Sequence, residues 1–281
     1  MAQGRAALRD YLKTAPLIFD GGMGTYYAQK LHTRGKGVEL ANIETPMVVG
    51  DIHTEYLRAG AQAIKTNTFA ANRIVYQGDE ELVRRIVTAG WEIAARAATP
   101  FDAYVFADIG PVMGLPHADI IDEYAFLADT FLTLGARYFI FETNSSDEGL
   151  IETAAHIKQK CPDAFVLNSF SAYPGGYTRD GRFVEDLVRA VAGSGYVDAV
   201  GFNCVNGTKQ MKELIRHLGA HELPLSLMPN AGHPVVVDGR TFYDRVSPPS
   251  GARVSPSSAA AAARLPRISR HSVMRSRRRA I

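Results

Sequence analysis

Cysteine is scarce in this sequence, with two residues among 281. Two thiols cannot build a disulfide scaffold, so the expected compartment is a reducing one and the expected location cytoplasmic. Long apolar runs are missing as well. No stretch approaches the ~20 apolar residues of a membrane-spanning helix. The opening Met1-Ala2-Gln3-Gly4-Arg5 lacks the apolar core of a signal peptide. No membrane partner is expected. A strong charge of either sign is also absent, but the net +2 averages two unlike segments. Residues 247–281 hold eight arginines, no lysine and no acid, which leaves 23 Lys+Arg against 29 Asp+Glu in residues 1–246, a charge of −6. An acidic body is poorly suited to a polyanion, so no nucleic-acid partner is expected.

What is present is a repeated strand–helix pattern. Apolar or β-branched runs fall at Leu17–Phe19, Ala63–Thr66, Tyr104–Ala107, Tyr138–Phe141, Ala164–Leu167, Asp198–Phe202 and Leu225–Met228. Segments of helical period lie between them. Val48, Val49, Ile52, Tyr56 and Leu57 share one face, as do Ile120, Tyr124, Leu127, Ala128 and Phe131. Pro46 suits a first helical turn, with Thr45 as its expected cap. Gly60, Gly135 and Gly195 sit where helices should close.

Seven strands alternating with helices predict a parallel sheet, either open and doubly wound or closed as a (β/α)8 barrel. Polar strand ends favour the barrel. Asp20, Asn67, Asp108, Glu142, Asn168, Asn203 and Asn230 each follow or end an apolar run. A barrel gathers all such ends at one mouth, whereas an open sheet gathers only those near its switch point. The expected fold is an α/β TIM barrel that is incomplete, with the eighth β/α unit missing. Residues 1–246 form the expected barrel, and residues 247–281, rich in Ser, Pro, Ala and Arg, form an expected disordered tail unable to supply a strand. Two unpaired edges are then expected beside the first and seventh strands.

Several side chains carry candidate chemistry. Asp20-Gly21-Gly22-Met23-Gly24-Thr25 follows the first strand, where glycines expose backbone N–H groups to an anion. Glu142 follows Tyr138-Phe139-Ile140-Phe141 and is placed to receive an ammonium group with Asp20, or else to cap a helix near Asp147. Cys204 is a candidate nucleophile or metal ligand, or else an inert buried thiol. Cys161 precedes the fifth strand and belongs on the opposite face. His217 and His221, spaced i, i+4, are a weak metal pair because Gly219 separates them near a helix end. Lys65 fits either a Schiff-base aldolase or a lysine paired with an acid inside the barrel.

Taken together and in order, these motifs resemble the homocysteine S-methyltransferase family. The similarity runs through Asp20-Gly21-Gly22-Met23-Gly24-Thr25, Asp51-Ile52-His53, Thr66-Asn67-Thr68-Phe69, Ala107-Asp108-Ile109-Gly110-Pro111, Phe141-Glu142-Thr143, Gly201-Phe202-Asn203-Cys204 and Pro229-Asn230-Ala231-Gly232, across about residues 15–245. It looks nearest to the homocysteine-binding module of methionine synthases, including forms fused to a methylenetetrahydrofolate reductase. The resemblance implies zinc-dependent transfer of a methyl group to the thiol of homocysteine, giving methionine. It implies Cys204 as catalytic zinc ligand and Asp20, Gly21, Gly22, Asn67, Glu142, Asn203 and Asn230 as substrate-binding residues. The implied partners are homocysteine and a methyl donor such as methyl-folate or methylcobalamin on another module. The family's paired cysteines on the eighth strand have no counterpart here, so two of three zinc ligands are absent. Impaired transfer is therefore expected, with a C-terminus truncated or read out of frame after about residue 246. The alternatives are an amino-acid-binding barrel without catalysis and the Lys65 aldolase.

Overall fold

The computed structural model describes residues 4–32, 37–219, 221–230, 234–237, 240–243 and 273–275. Seven strands run parallel in the chain order the sequence predicts: β1 (Leu17–Ile18), β2 (Ala63–Lys65), β3 (Tyr104–Ile109), β4 (Tyr138–Asn144), β5 (Phe165–Phe170), β6 (Ala199–Gly207) and β7 (Leu225–Asn230). A parallel bridge from Phe19 to Ala63 joins β1 to β2. The helices are α1 (Arg5–Thr14), α2 (Met23–Leu31), α3 (Ala41–Glu44), α4 (Pro46–Arg58), α5 (Glu80–Ala98), α6 (His117–Thr133), α7 (Leu150–Lys160), α8 (Val184–Gly193) and α9 (Thr208–Leu214). They separate successive strands as βαβ units require.

The strand side chains divide between two cores. Phe19, Ala63, Tyr104, Phe106, Tyr138, Ile140, Phe165, Leu167, Ala199 and Met228 fill the barrel interior. Leu8 and Leu12 of α1 join that cluster, so the first helix plugs the barrel's lower end. The alternate residues, among them Phe139, Phe141, Val166, Phe170, Val200 and Phe202, pack outward against α6, α7 and α8. Strands buried on both faces explain the unbroken apolar runs of the sequence.

Local signals account for the boundaries. Gly60 and Gly135 end their helices at φ 102 and 89, where a side chain is strained. Pro46 opens α4 as expected. Thr45 does not cap that helix with its side chain; its hydroxyl instead lies 2.9 Å from Tyr27 Oη, which ties α4 to α2. The backbone carbonyl of Thr45 still accepts from Val48 N at 3.0 Å.

The eighth position is the main departure from expectation. A strand from within the basic tail, Val273–Arg275, lies between β1 and β7 and is antiparallel to both. With the hairpin of β8 (Pro234–Val237) and β9 (Arg240–Tyr243) it brings the strands among the described residues to ten, and we label it β10. Leu17 and Ile18 face Met274 and Val273, and Leu227, Ser226 and Leu225 face Val273, Met274 and Arg275. The expectation that the tail supplies no strand and leaves two open edges is corrected here. Pairing uses backbone N–H and C=O groups, which any non-proline residue offers. An antiparallel strand also starts at the mouth, where β7 ends, and needs no crossover to the lower end. Among the described residues no parallel strand–helix unit follows β7. Residues 247–272 and 276–281, the rest of the expected tail, lie outside the described residues.

Candidate active site at the barrel mouth

Inward-facing residues at the upper ends of the strands define the site. Asp20 follows β1, Lys65 ends β2, Asp108 lies on β3, Glu142 on β4, Ser169 on β5 and Asn203 on β6. The carboxylates are buried, with relative exposures of 3%, 5% and 8% for Asp20, Asp108 and Glu142. Lys65 Nζ stands 2.8 Å from each Glu142 oxygen. Asn203 Nδ2 also donates to Glu142 Oε1, at 2.9 Å. Asp20 Oδ2 accepts from Lys65 N at 3.0 Å.

Burial and neighbouring charge shift Asp20, Asp108 and Lys65. Burial raises Asp20 to about 7, although Lys65 pulls the other way. Burial and the Glu142 charge lift Asp108 well above the ordinary carboxylate range. For Lys65, burial opposes the charge, but Glu142, Asp108 and Asp20 outweigh it and raise the pKa. The ammonium is thus held protonated. A Schiff-base lysine must present a free amine, so the acid-paired reading of Lys65 is the one the geometry carries.

Cys204 sits beside this cluster on a strained backbone. Thr143 and Cys204 have φ of 64 and 55, uncommon for residues with side chains. Both fall where strand register shifts, between Phe141 and Asn144 on β4 and between Asn203 and Gly207 on β6. The kinks turn the two side chains toward each other, with Thr143 Oγ1 3.6 Å from Cys204 Sγ. Asn203 locks the pair: its Oδ1 accepts from Thr143 N at 3.0 Å and from Ser169 Oγ at 2.7 Å. Its Nδ2 lies 2.6 Å from Thr143 Oγ1 and 3.4 Å from Cys204 Sγ. Burial, then Glu142, push the Cys204 thiol above its ordinary value.

The remaining predicted residues divide. Gly21 and Gly22 lead from Asp20 into α2, and Gly22 caps that helix with no side-chain hydrogen bond. Asn230 ends β7 opposite Gly207. Asn67 is turned away from the mouth: its Nδ2 donates to Val38 O at 2.7 Å and Asn42 Oδ1 at 2.9 Å. Its amide fastens the segment before α4 to the barrel top. Asn168 is a correction to the expected ring of strand-end polar groups. It pairs in register with Phe141 and Val200, which belong to the outer core, so it faces the helices and Ser169 faces the mouth. Glu142 does not cap α7, which starts behind Gly149. Asp108 and the acid-paired Lys65 stand in the barrel where the sequence places them, and Thr143 and Ser169 join the site beyond the predicted set. Asp108 and Thr143 lie inside the quoted motifs, but nothing local marks Ser169.

The two cysteines are free thiols at opposite ends of the barrel. Cys161 closes α7 below β5, where Arg137 Nη1 donates to its sulfur at 2.7 Å. His217 packs edge-on against Phe183, 5.9 Å between centroids. Among the described residues no group of three His, Cys, Asp or Glu side chains is arranged to hold a metal ion. His233 lies outside the described residues. Among the described residues no helix is long and apolar enough to cross a membrane.

A barrel with a buried acidic mouth and a thiol at its rim defines a class of β/α-barrel protein. The comparisons give the family. The homocysteine S-methyltransferase profile matches residues 17–264, and the chain belongs to that family. Methionine synthase of Mycobacterium tuberculosis is 32% identical over 263 residues, covering 82% of this chain and 21% of that protein. The chain thus spans about a fifth of the methionine synthases it matches. Homocysteine S-methyltransferase of Escherichia coli is 27% identical over 267 residues, covering 82% of this chain and 80% of that protein. The crystal structure of the E. coli homocysteine methyltransferase MmuM in its apo form superposes with a TM-score of 0.66 at 26% identity, over 81% of this chain and 86% of that one. Its metallated form has the same TM-score at 22% identity.

Proposed function

We propose that the barrel mouth binds homocysteine as the acceptor of a methyl group, the reaction that yields methionine. The observation that carries this is the convergence of Asp20, Glu142, Asn203 and Cys204 within one buried mouth in a chain of this family. In this reading the acid cluster receives the substrate ammonium through charge-assisted hydrogen bonds. The Gly21-Gly22 turn and the first N–H groups of α2 receive its carboxylate. The substrate thiol then lies toward Cys204.

A thiol with a pKa of about 8.5 must lose its proton before its sulfur attacks a methyl carbon. The family implies zinc for that step. Catalytic zinc takes three protein ligands and keeps one open position. The residues present do not fit a three-thiolate site: the chain has two cysteines, and Cys161 lies at the far end of the barrel. We therefore infer that amino-acid binding is retained and that transfer by this chain is impaired. The donor belongs to the same proposal, as a methyl-folate or methylcobalamin presented by another module, and so does a cytoplasmic location.

The test is calorimetry with homocysteine and methionine, run beside an assay of methionine formation with each donor. Homocysteine binding without turnover is the expected result. Turnover at rates typical of an intact enzyme, about 1 per second or faster, overturns the impairment. Absence of any amino-acid binding overturns the whole reading.

A further inference from the structure

Glu142 is already occupied. Both of its oxygens face Lys65 Nζ at 2.8 Å, and Asn203 Nδ2 donates to Oε1 at 2.9 Å. The other two carboxylates are not so supplied. Asp20 spends Oδ2 on the Lys65 backbone, and its buried Oδ1 has no hydrogen-bond partner. Asp108 is 5% exposed and hydrogen-bonds the Glu142 carboxyl, but its buried Oδ1 has no partner. Carboxylate oxygens left buried without a donor are costly, and that cost is removed when a donor arrives. Ala63, Phe106 and Ile140 point into the barrel, so by alternation Lys65, Asp108 and Glu142 point inward from the adjacent strands β2, β3 and β4, and Asp20 reaches the Lys65 backbone beside them. Neither the sequence motifs nor the comparisons give Asp108 a role.

We propose that Asp108 is a substrate-binding residue: its free oxygen and that of Asp20 receive the ammonium of the amino acid, while Lys65 stays on Glu142. This rests on the amino-acid-binding reading above. An ammonium group carries three donors, enough for two carboxylate oxygens with one to spare. The competing arrangement, in which the ammonium displaces Lys65 from Glu142, breaks a buried ion pair and strands a second cation. Lys65 is then a positioning residue that neutralises Glu142 and leaves Asp20 and Asp108 for the ligand.

The test compares homocysteine with 4-mercaptobutyrate, the same skeleton without its amino group, by calorimetry on the full chain. Asp108→Asn keeps the side-chain shape, and Asp108→Ser serves as a second variant, both checked for fold by circular dichroism. The expected result is a loss of homocysteine affinity of about 10- to 150-fold, the range for a charge-assisted hydrogen bond, with mercaptobutyrate binding unchanged. Undiminished homocysteine affinity in folded Asp108→Asn overturns the proposal, and so does an equal loss for both ligands. Failure of the wild-type chain to bind homocysteine at all overturns the amino-acid reading, and the Asp108 role falls with it.

Discussion

Two buried side chains pull the stability of this protein in opposite directions as pH changes. His53 on α4 is fully buried with neither ring nitrogen hydrogen-bonded, and burial lowers its pKa from 6.5 to about 4. The unfolded chain therefore binds a proton below pH 6.5 that the folded chain refuses until about 4, so this contribution is lost as pH falls through that window. Asp20 works the other way. Its folded pKa of about 7 exceeds the ordinary 3.8, so its contribution is lost as pH rises from 3.8 to 7. At 1.36 kcal/mol per unit, each is worth roughly 3 to 4 kcal/mol. Asp108, raised as well, adds to the Asp20 side. Between pH 4.5 and 6.5 the denaturant midpoint is expected to shift downward with pH more in His53→Leu than in the wild type, and less in Asp20→Asn. Wild-type pH profiles in both variants contradict the assignment. Residue identity at this scale was legible for Asp20, Glu142 and Cys204, because each ends an apolar run within a motif. The facing of Asn168 was not. Phe165–Phe170 is buried on both faces, so no polar–apolar alternation shows which residues point inward.

At the scale of elements, α1 is held under the barrel by a buried acid. Asp198, with no exposed surface, lies 2.5 Å from Arg5 Nε and accepts from Val166 N at 2.9 Å. It also pairs with Lys158 of α7. Asp198→Ala leaves Lys158 without its counter-charge in a largely buried place. A loss of roughly 3–5 kcal/mol is expected from chemical denaturation, the range for a broken buried pair. Protease cleavage within residues 5–14 is expected to quicken at the same time, and unchanged stability removes the anchoring role. Leu12→Ala, which opens a cavity among the interior residues, is expected to cost about 2–5 kcal/mol. The helices and seven strands were readable because period and punctuation agree. The anchor was not, since its partners lie 193 and 40 residues away in sequence.

At the scale of the whole molecule, metal content and closure can both be measured. The two cysteines stand at opposite ends, so one zinc per chain held through dialysis against a mild chelator is not expected. Atomic emission on the dialysed protein checks this, and a stoichiometric value sinks it. Closure depends on three residues. Val273→Pro removes a backbone donor from β10 and is expected to weaken its pairing with β1 and β7. Uncovered edges favour association between copies, so a lower melting temperature and concentration-dependent light scattering are expected. Composition pointed to a tail without strands because a run of Arg, Ser, Pro and Ala has no period. A three-residue pairing leaves no periodic mark.

The reversed direction of β10 turns its two ends to opposite ends of the barrel from those of its neighbours. β1 to β7 all climb toward the mouth, whereas β10 descends, from Val273 opposite Leu227 to Arg275 opposite Leu225, the first residue of β7. Position 275 therefore stands at the floor end of the sheet, the end that α1 plugs. A fluorophore attached at that position neither shades nor crowds the opening, which makes it a convenient reporter site for ligand measurements at the acidic mouth.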